Sequence, residues 1–243
     1  MWIFCCGMPR SGSTLQFQIT AKLVEDAGLG KRIEWCEHFD FPKIREKYMD
    51  YSGWKVFKVH IPTDEMLAEF RKQNAMGVYI FRDLRDSMAS NIRKKKIESD
   101  PDTRKKLIKR WSTNWVQYYN TWAGFSQVLV SKYEQVVSNL AGEVQRIAGH
   151  LGIPLKESET IKIGSEFTLN KQRERIEALN KDNVSCDPHS LLHMNHIHSG
   201  EIGGWENFLT HEEVLLIEGT ATSWLLKNGY PLSGFKEETN HGQ

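Results

Sequence analysis

Residues 7–14 form the first segment whose side chains could do chemistry, and they read Gly-Met-Pro-Arg-Ser-Gly-Ser-Thr. A short apolar run precedes this segment, and apolar residues at helical spacing follow it. A glycine-rich turn between a strand and a helix aims backbone N–H groups and the positive end of the helix dipole at one point. We therefore predict that the segment binds an anion such as a phosphate group. The simpler alternative is a glycine turn that only begins a helix.

The two glycines, Gly7 and Gly12, have the spacing of a Walker A loop, and Thr14 occupies its Ser/Thr position. However, Ser13 stands where that loop has a lysine, so a nucleoside triphosphatase would lack the cation that reaches its β- and γ-phosphates. Arg10 restores a positive charge from inside the loop. Three hydroxyl groups could donate to the same anion, and they belong to Ser11, Ser13 and Thr14.

A second candidate anion ligand, Arg82, follows a predicted strand at residues 78–81. In open α/β sheets, ligands bind outside the carboxyl ends of the strands. Ser90 comes about two turns into the helix that follows, so a guanidinium and a hydroxyl could reach one phosphate. The residues alone equally allow Arg82 to form an ion pair with Asp83 or Asp86.

A candidate proton acceptor, His60, stands at the end of the strand predicted at residues 54–59. Lys58 and His60 alternate with apolar neighbours and therefore point to the same side of the strand. A histidine, with an ordinary pKa of about 6.5, can accept the proton of an attacking hydroxyl group at neutral pH. The alternative is a structural histidine that hydrogen bonds to the backbone.

These residues require a scaffold that brings the ends of several strands together. Short apolar runs alternate with segments of helical spacing, which is typical of βαβ units. We predict a three-layer α/β fold in which a parallel five-stranded sheet carries a phosphate loop like that of P-loop NTPases and helices cover both faces, in one domain over residues 1–243. The predicted strands are residues 2–6, 32–36, 54–59, 78–81 and 128–131, and the predicted helices include residues 41–48, 64–73, 134–151 and 210–226.

The composition is that of an ordinary globular protein, with 40% hydrophobic and 26% charged residues in a chain of 243. A formal net charge of +1 points to neither a nucleic acid nor a membrane as partner. No apolar run approaches the length of about 20 residues that crosses a bilayer, and residues 1–6 lack the features of a signal peptide. The cysteines form no CxxC pair, which favours a reducing, cytoplasmic location. They are Cys5, Cys6, Cys36 and Cys186.

Together, the three segments resemble the sulfotransferases that use 3′-phosphoadenosine 5′-phosphosulfate (PAPS) as sulfuryl donor. Residues 9–14 match the family loop P-[KR]-S-G-[ST]-T, and residues 58–62 match K-T-H-x-P with valine at the second position. Arg82 and Ser90 have the spacing of the family's arginine and serine. The resemblance implies that the loop binds the 5′-phosphosulfate, that Arg82 and Ser90 bind the 3′-phosphate, and that His60 is the catalytic histidine.

The resemblance continues towards the end of the chain. The tryptophans of residues 111–122, the strand end at residues 130–134, the Leu-Gly-Ile-Pro turn at 151–154 and the segment Gly-x-x-Gly-x-Trp-x-Asn at 200–207 all have counterparts in the family. The cofactor site implied by the resemblance therefore gains four further residues, which are Tyr133, His198, Ser199 and Gly200.

Two departures from the family pattern affect the cofactor site. The cytosolic branch has an Arg-Lys pair where His198 and Ser199 stand, so the hold on the 3′-phosphate could be weaker, pH-sensitive or shared with Arg173 or Arg175. Leu15 replaces a tryptophan that stacks on the adenine in some members, which leaves the stacking group open.

The resemblance implies an enzyme that transfers a sulfuryl group from PAPS to a hydroxyl or amine of an acceptor and releases adenosine 3′,5′-bisphosphate (PAP). The acceptor is expected to be a small molecule. Arg10 and Lys58 would stabilise the transferring group and the leaving 5′-phosphate, as cations do in phosphoryl transfer, and no metal ion is expected. The base is expected to be His60. Rival bases follow the second predicted strand, and they are Glu34, Glu37 and His38.

Two other functions are compatible with a loop of this kind. A P-loop nucleotide kinase or hydrolase would need a lysine after Gly12 and a carboxylate after an apolar strand, whereas a non-catalytic nucleotide-binding module would keep the loop and lack a working base. The aromatic stripe at residues 111, 115, 118 and 122 is more typical of a core than of an acceptor pocket, and the basic runs at 93–96 and 104–110 are typical of solvated helix faces. The sequence indicates neither the acceptor nor the oligomeric state.

Overall fold

The structure, a computed structural model, describes residues 1–35, 37–97, 100–194, 197 and 200–233. His198 and Ser199, two of the predicted cofactor residues, lie outside the described residues, as does Cys36. The chain divides into two compact units. The first comprises Met1–Arg82 and Tyr118–Gly200, and the second comprises Asp83–Gln117 and Glu201–Gln243.

A sheet of five parallel strands lies in the first unit, with the order β2-β3-β1-β4-β5. Because the strands are parallel, their carboxyl ends share one edge, where Gly7 of β1 lies beside Ile80 of β4. This sheet and its helices confirm the predicted α/β fold. The strands are β1 (Trp2–Gly7), β2 (Gly30–Arg32), β3 (Trp54–Val59), β4 (Ala75–Phe81) and β5 (Val128–Lys132).

Ten α-helices lie within the described residues. None of these described helices combines the length and the apolar character that a membrane crossing requires. The first unit contains α1 (Ser13–Asp26), α2 (Phe41–Lys47), α3 (Asp64–Arg71), α6 (Tyr133–Ser138), α7 (Leu140–Leu151), α8 (Glu157–Ser165) and α9 (Leu169–Lys181). The second contains α4 (Leu84–Lys95) and α10 (His211–Lys227), and α5 (Pro101–Ala123) has residues in both.

The central strand β1 sends alternate side chains to opposite faces of the sheet. Ile3 and Cys5 lie in an apolar cluster with residues of α1 and α7. Phe4, on the other face, packs against Phe41 of α2 and Phe70 of α3 with ring centroids 5.5 Å away in both pairs. Burial on both faces explains why this strand reads as an uninterrupted apolar run, and it fixes the position of the loop that follows it.

Two predicted elements need correction. The second strand was predicted at residues 32–36, but β2 occupies Gly30–Arg32, because a short edge strand needs no apolar residues and Gly-Lys-Arg carries no apolar signal. The helix predicted over residues 134–151 is two helices, α6 and α7. Asn139 separates them, and its side-chain oxygen accepts the Gly142 N–H at 2.9 Å to cap α7.

Candidate active site

The loop between β1 and α1 folds through two left-handed residues, Arg10 with φ 67° and Gly12 with φ 90°. A Cβ atom on Gly7 would lie 2.8 Å from Cβ of Ser13, so only glycine allows the helix to begin this close to the strand. Gly12 then caps α1, whose first-turn N–H groups lack partners within the helix. The loop therefore has the backbone geometry that the predicted anion site requires.

Ser11 stabilises the loop from inside the protein. Its side chain is fully buried, and its hydroxyl oxygen lies 2.6 Å from the carbonyl oxygen of Met8 and 2.9 Å from that of Ile80. A hydroxyl has one proton to donate, and both of these neighbours are acceptors. The Ser11 hydroxyl, predicted as a ligand donor, thus joins the loop to β4 in this structure.

Tyr133 brings three predicted cofactor residues together at the start of α6. A Cβ atom on Gly12 would lie 3.0 Å from Cδ2 of the tyrosine ring, so the ring packs directly on the loop backbone. The guanidinium carbon of Arg82 lies over the same ring, 4.6 Å from its centroid. The tyrosine hydroxyl donates to the carbonyl oxygen of Gly200 at 3.1 Å.

Two cations of this site influence each other. Burial and, to a smaller extent, the positive charge of Arg82 lower the pKa of Arg10. Arg82 is itself 6% exposed. Like charges held near each other in a poorly solvated place are stabilised by an anion. The loop and these two arginines therefore fit a phosphate or phosphosulfate group.

His60 follows β3, and its ring is oriented by the phosphate loop itself. The Nδ1 atom of His60 lies 2.7 Å from the carbonyl oxygen of Gly7. Since a carbonyl oxygen only accepts, Nδ1 must carry the proton, and in the neutral ring Nε2 then carries the lone pair. The Nζ atom of Lys58 lies 3.4 Å from this Nε2. The geometry gives His60 the tautomer that a proton acceptor needs.

Trp35 borders the same pair and was missed as a site residue because it fell inside the predicted strand 32–36. Its ring centroid lies 4.9 Å from Nζ of Lys58. Lys58 is 8% exposed, whereas Trp35 is 43% exposed. In the structure it comes three residues after β2, at the carboxyl end of the strands where ligands bind in open α/β sheets.

In the second unit, Asp86 at the start of α4 binds the backbone of a later segment. Asp86 is buried and accepts the backbone N–H groups of Gly203 at 2.8 Å and Trp205 at 3.0 Å. Asp83 caps α4 and forms an ion pair with Arg85 at 2.7 Å. Asp86 thus holds the late sequence motif at Gly203 and Trp205, and Ser90 lies half-buried on the same helix.

A sequence profile for the sulfotransferase domain matches residues 2–225, which is most of the chain. The chain belongs to the sulfotransferase family. Rabbit sulfotransferase 1C2 is 22% identical over 234 residues, covering 86% of this chain and 77% of the relative. Human sulfotransferase 2B1 is 24% identical over 235 residues, and there the match spans 86% of this chain and only 61% of the relative.

Solved structures show the same fold for this sulfotransferase. A mouse sulfotransferase complexed with PAP has a TM-score of 0.70 at 20% identity, covering 92% of this chain and 83% of that chain. Retinol dehydratase in complex with androsterone and PAP has a TM-score of 0.69 at 16% identity, covering 96% and 83%. The predicted family, fold and enzyme class of a sulfuryl transferase are confirmed.

Of the rival bases of this sulfotransferase, Glu34 is held by neighbouring side chains. Glu34 accepts hydrogen bonds from Nζ of Lys47 and the hydroxyl of Tyr48. Burial acts to raise the pKa of Glu34, but these two hydrogen bonds, a backbone hydrogen bond and the charge of Lys47 together lower it. The carboxylate of Glu37 lies 4.0 Å from Nδ1 of His38. A carboxylate with a lowered pKa is a weaker base, so His60 is favoured over Glu34.

Proposed function

We propose that this chain transfers a sulfuryl group from PAPS to the hydroxyl or amine of a small-molecule acceptor, with residues 1–243 acting as one sulfotransferase domain. The observation that carries the proposal is the hydrogen bond between His60 Nδ1 and the Gly7 carbonyl, because it joins the proton acceptor to the anion loop. A structural histidine would make the same backbone hydrogen bond, so the second support is the cation at the other ring nitrogen, where Nζ of Lys58 lies 3.4 Å from Nε2.

In the proposed reaction, Nε2 of His60 accepts the acceptor's proton as the acceptor oxygen or nitrogen attacks sulfur. The bond between sulfur and the bridging oxygen of the 5′-phosphate breaks, and its electron pair leaves with PAP. Arg10 and Lys58 neutralise the charge that grows on the transferring group and on the leaving phosphate. Backbone N–H groups at Gly12, Ser13 and Thr14 bind the same oxygens.

The 3′-phosphate is assigned to Arg82, with Tyr133 and Gly200 beside it. This assignment is supported by the guanidinium that lies over the Tyr133 ring and by the tyrosine's hydrogen bond to Gly200. Stacking fixes the plane of an arginine, which then donates to a phosphate through two parallel N–H groups. Ser90 of the second unit, together with His198 and Ser199, stays a predicted contact of this phosphate.

The names of similar proteins support the proposed acceptor class and the proposed cellular location. Two similar structures of retinol dehydratase contain androsterone or retinol together with PAP. A relative from Arabidopsis thaliana, 23% identical over 230 residues, is named cytosolic sulfotransferase 3. These names support a small-molecule acceptor and a cytoplasmic protein.

Calorimetric titration tests the nucleotide specificity of the proposed function. We expect PAP to bind one site per chain at least about 100-fold more tightly than ATP with magnesium, since Ser13 replaces the lysine that a triphosphate needs. Equal or tighter binding of ATP with magnesium would instead support a kinase or hydrolase. Turnover of labelled PAPS with a panel of phenols, alcohols and amines then separates an enzyme from a non-catalytic module.

A further inference from the structure

Trp122 of α5 contacts the backbone of the proposed base. Its side chain is fully buried, and its indole N–H donates to the carbonyl oxygen of His60 at 3.1 Å. The ring packs against both Phe4 of β1 and Phe70 of α3, with centroids 6.0 Å and 5.9 Å away. The apolar core therefore fixes the position of the indole, and the one polar atom of the indole, Nε1, bonds to the backbone of His60.

The position of His60 explains why such a donor matters. β3 ends at Val59, so the carbonyl of His60 lies beyond the last residue of that strand. A carbonyl in such a place needs a donor from elsewhere in the protein. The Gly7 carbonyl of β1 holds the ring of His60, and Trp122 of α5 holds its backbone carbonyl. Two different elements therefore fix the side chain and the main chain of this residue.

We infer that Trp122 is a positioning residue for His60: its indole N–H holds the backbone of the base so that Nδ1 stays on the Gly7 carbonyl and Nε2 remains the proton-accepting atom of the ring. The inference rests on the proposed role of His60. It gives one tryptophan of the aromatic stripe a part in catalysis that packing alone does not require.

The variant Trp122→Phe tests this, because it keeps an aromatic ring and removes only the donor and the second ring. We expect kcat to fall about tenfold, as a misplaced catalytic group would cause, while the acceptor KM and the Kd for PAP stay within about twofold. Trp2→Phe is the matched control, since Trp2 lies in the same aromatic cluster beside Phe4 and Phe41. Equal kcat losses in both variants would overturn the inference.

A double variant separates positioning from general destabilisation. In a His60→Ala background, Trp122→Phe should lower the residual kcat by no more than about twofold, because residues that act as a unit are not additive. A further tenfold loss in that background would mean that Trp122 acts independently of His60. Full activity of His60→Ala itself would instead remove the proposed base, so the two failures are distinguishable.

Imidazole ¹⁵N spectra give a readout that needs no turnover. In the unliganded wild-type protein, His60, assigned by its loss in His60→Gln, should show the proton on Nδ1. Trp122→Phe should show exchange between tautomers at this residue, and Trp2→Phe should match the wild type. An unchanged His60 signal in Trp122→Phe would contradict the inference.

Discussion

Replacing His60 with alanine is expected to lower kcat by about a thousandfold, the usual contribution of a general base. The substitution removes the atom that accepts the acceptor's proton, while the cations and loop N–H groups that bind the nucleotide stay in place. The Kd for PAP should therefore remain within about twofold of the wild-type value. Turnover of labelled PAPS measures kcat, and calorimetry measures the Kd for PAP.

Glu34→Gln is the matched control for this experiment. The amide keeps the shape of the carboxylate and removes its charge and basicity, but Glu34 is already held by Lys47 and Tyr48. We expect its kcat to stay within about threefold of wild type. Full activity in His60→Ala combined with a large loss in Glu34→Gln would transfer the role of base to Glu34.

Replacing Arg82 with alanine is expected to weaken PAP about 30-fold and adenosine 5′-phosphate less than about threefold. A charge-assisted hydrogen bond to a phosphate contributes about 2 kcal/mol, which corresponds to that factor. Only PAP carries the 3′-phosphate, so the difference between the two ligands reports which phosphate Arg82 binds. Calorimetric titration of both ligands measures it.

Two further variants sharpen the Arg82 experiment. Arg82→Lys keeps the charge but loses the planar fork that lies over Tyr133, and it should recover only part of the affinity for PAP. Arg93→Ala removes another arginine that lies over a ring, that of Phe208 at 4.1 Å, and should leave PAP binding unchanged. Equal weakening of PAP and adenosine 5′-phosphate in Arg82→Ala would show that this arginine does not distinguish the 3′-phosphate.

The sequence predicted the central strands and the phosphate loop because their signals are local. The strand predicted at residues 54–59 matches β3, and the apolar run before Gly7 matches β1 within one residue. The edge strand β2 was predicted at the wrong residues because its sequence is neither apolar nor alternating. The break between α6 and α7 depends on a cap formed by the side chain of Asn139, a contact that helical periodicity does not encode.

The contacts around the base could not be predicted in the same way. The motif identified Lys58 and His60, but the tautomer of His60 depends on the Gly7 carbonyl, which is far away in sequence. Trp122 was assigned to a core stripe from its spacing, and only the packing of α5 shows that its N–H meets His60. Ser11 was expected to face the ligand, whereas its hydroxyl lies against β4. Each of these contacts arises from tertiary packing.

The charge repulsion between Arg10 and Arg82 also makes the thermal stability of the protein depend on the anions in its solvent. Burial and the charge of Arg82 lower the pKa of Arg10, so the folded chain holds that proton less favourably than the unfolded chain does. An anion that binds beside the arginines only in the folded state adds RT ln(1 + [L]/Kd) to the free energy of unfolding. The melting temperature should therefore depend on the anion in the buffer. We expect small oxyanions such as sulfate or phosphate to stabilise the unliganded enzyme more than chloride does.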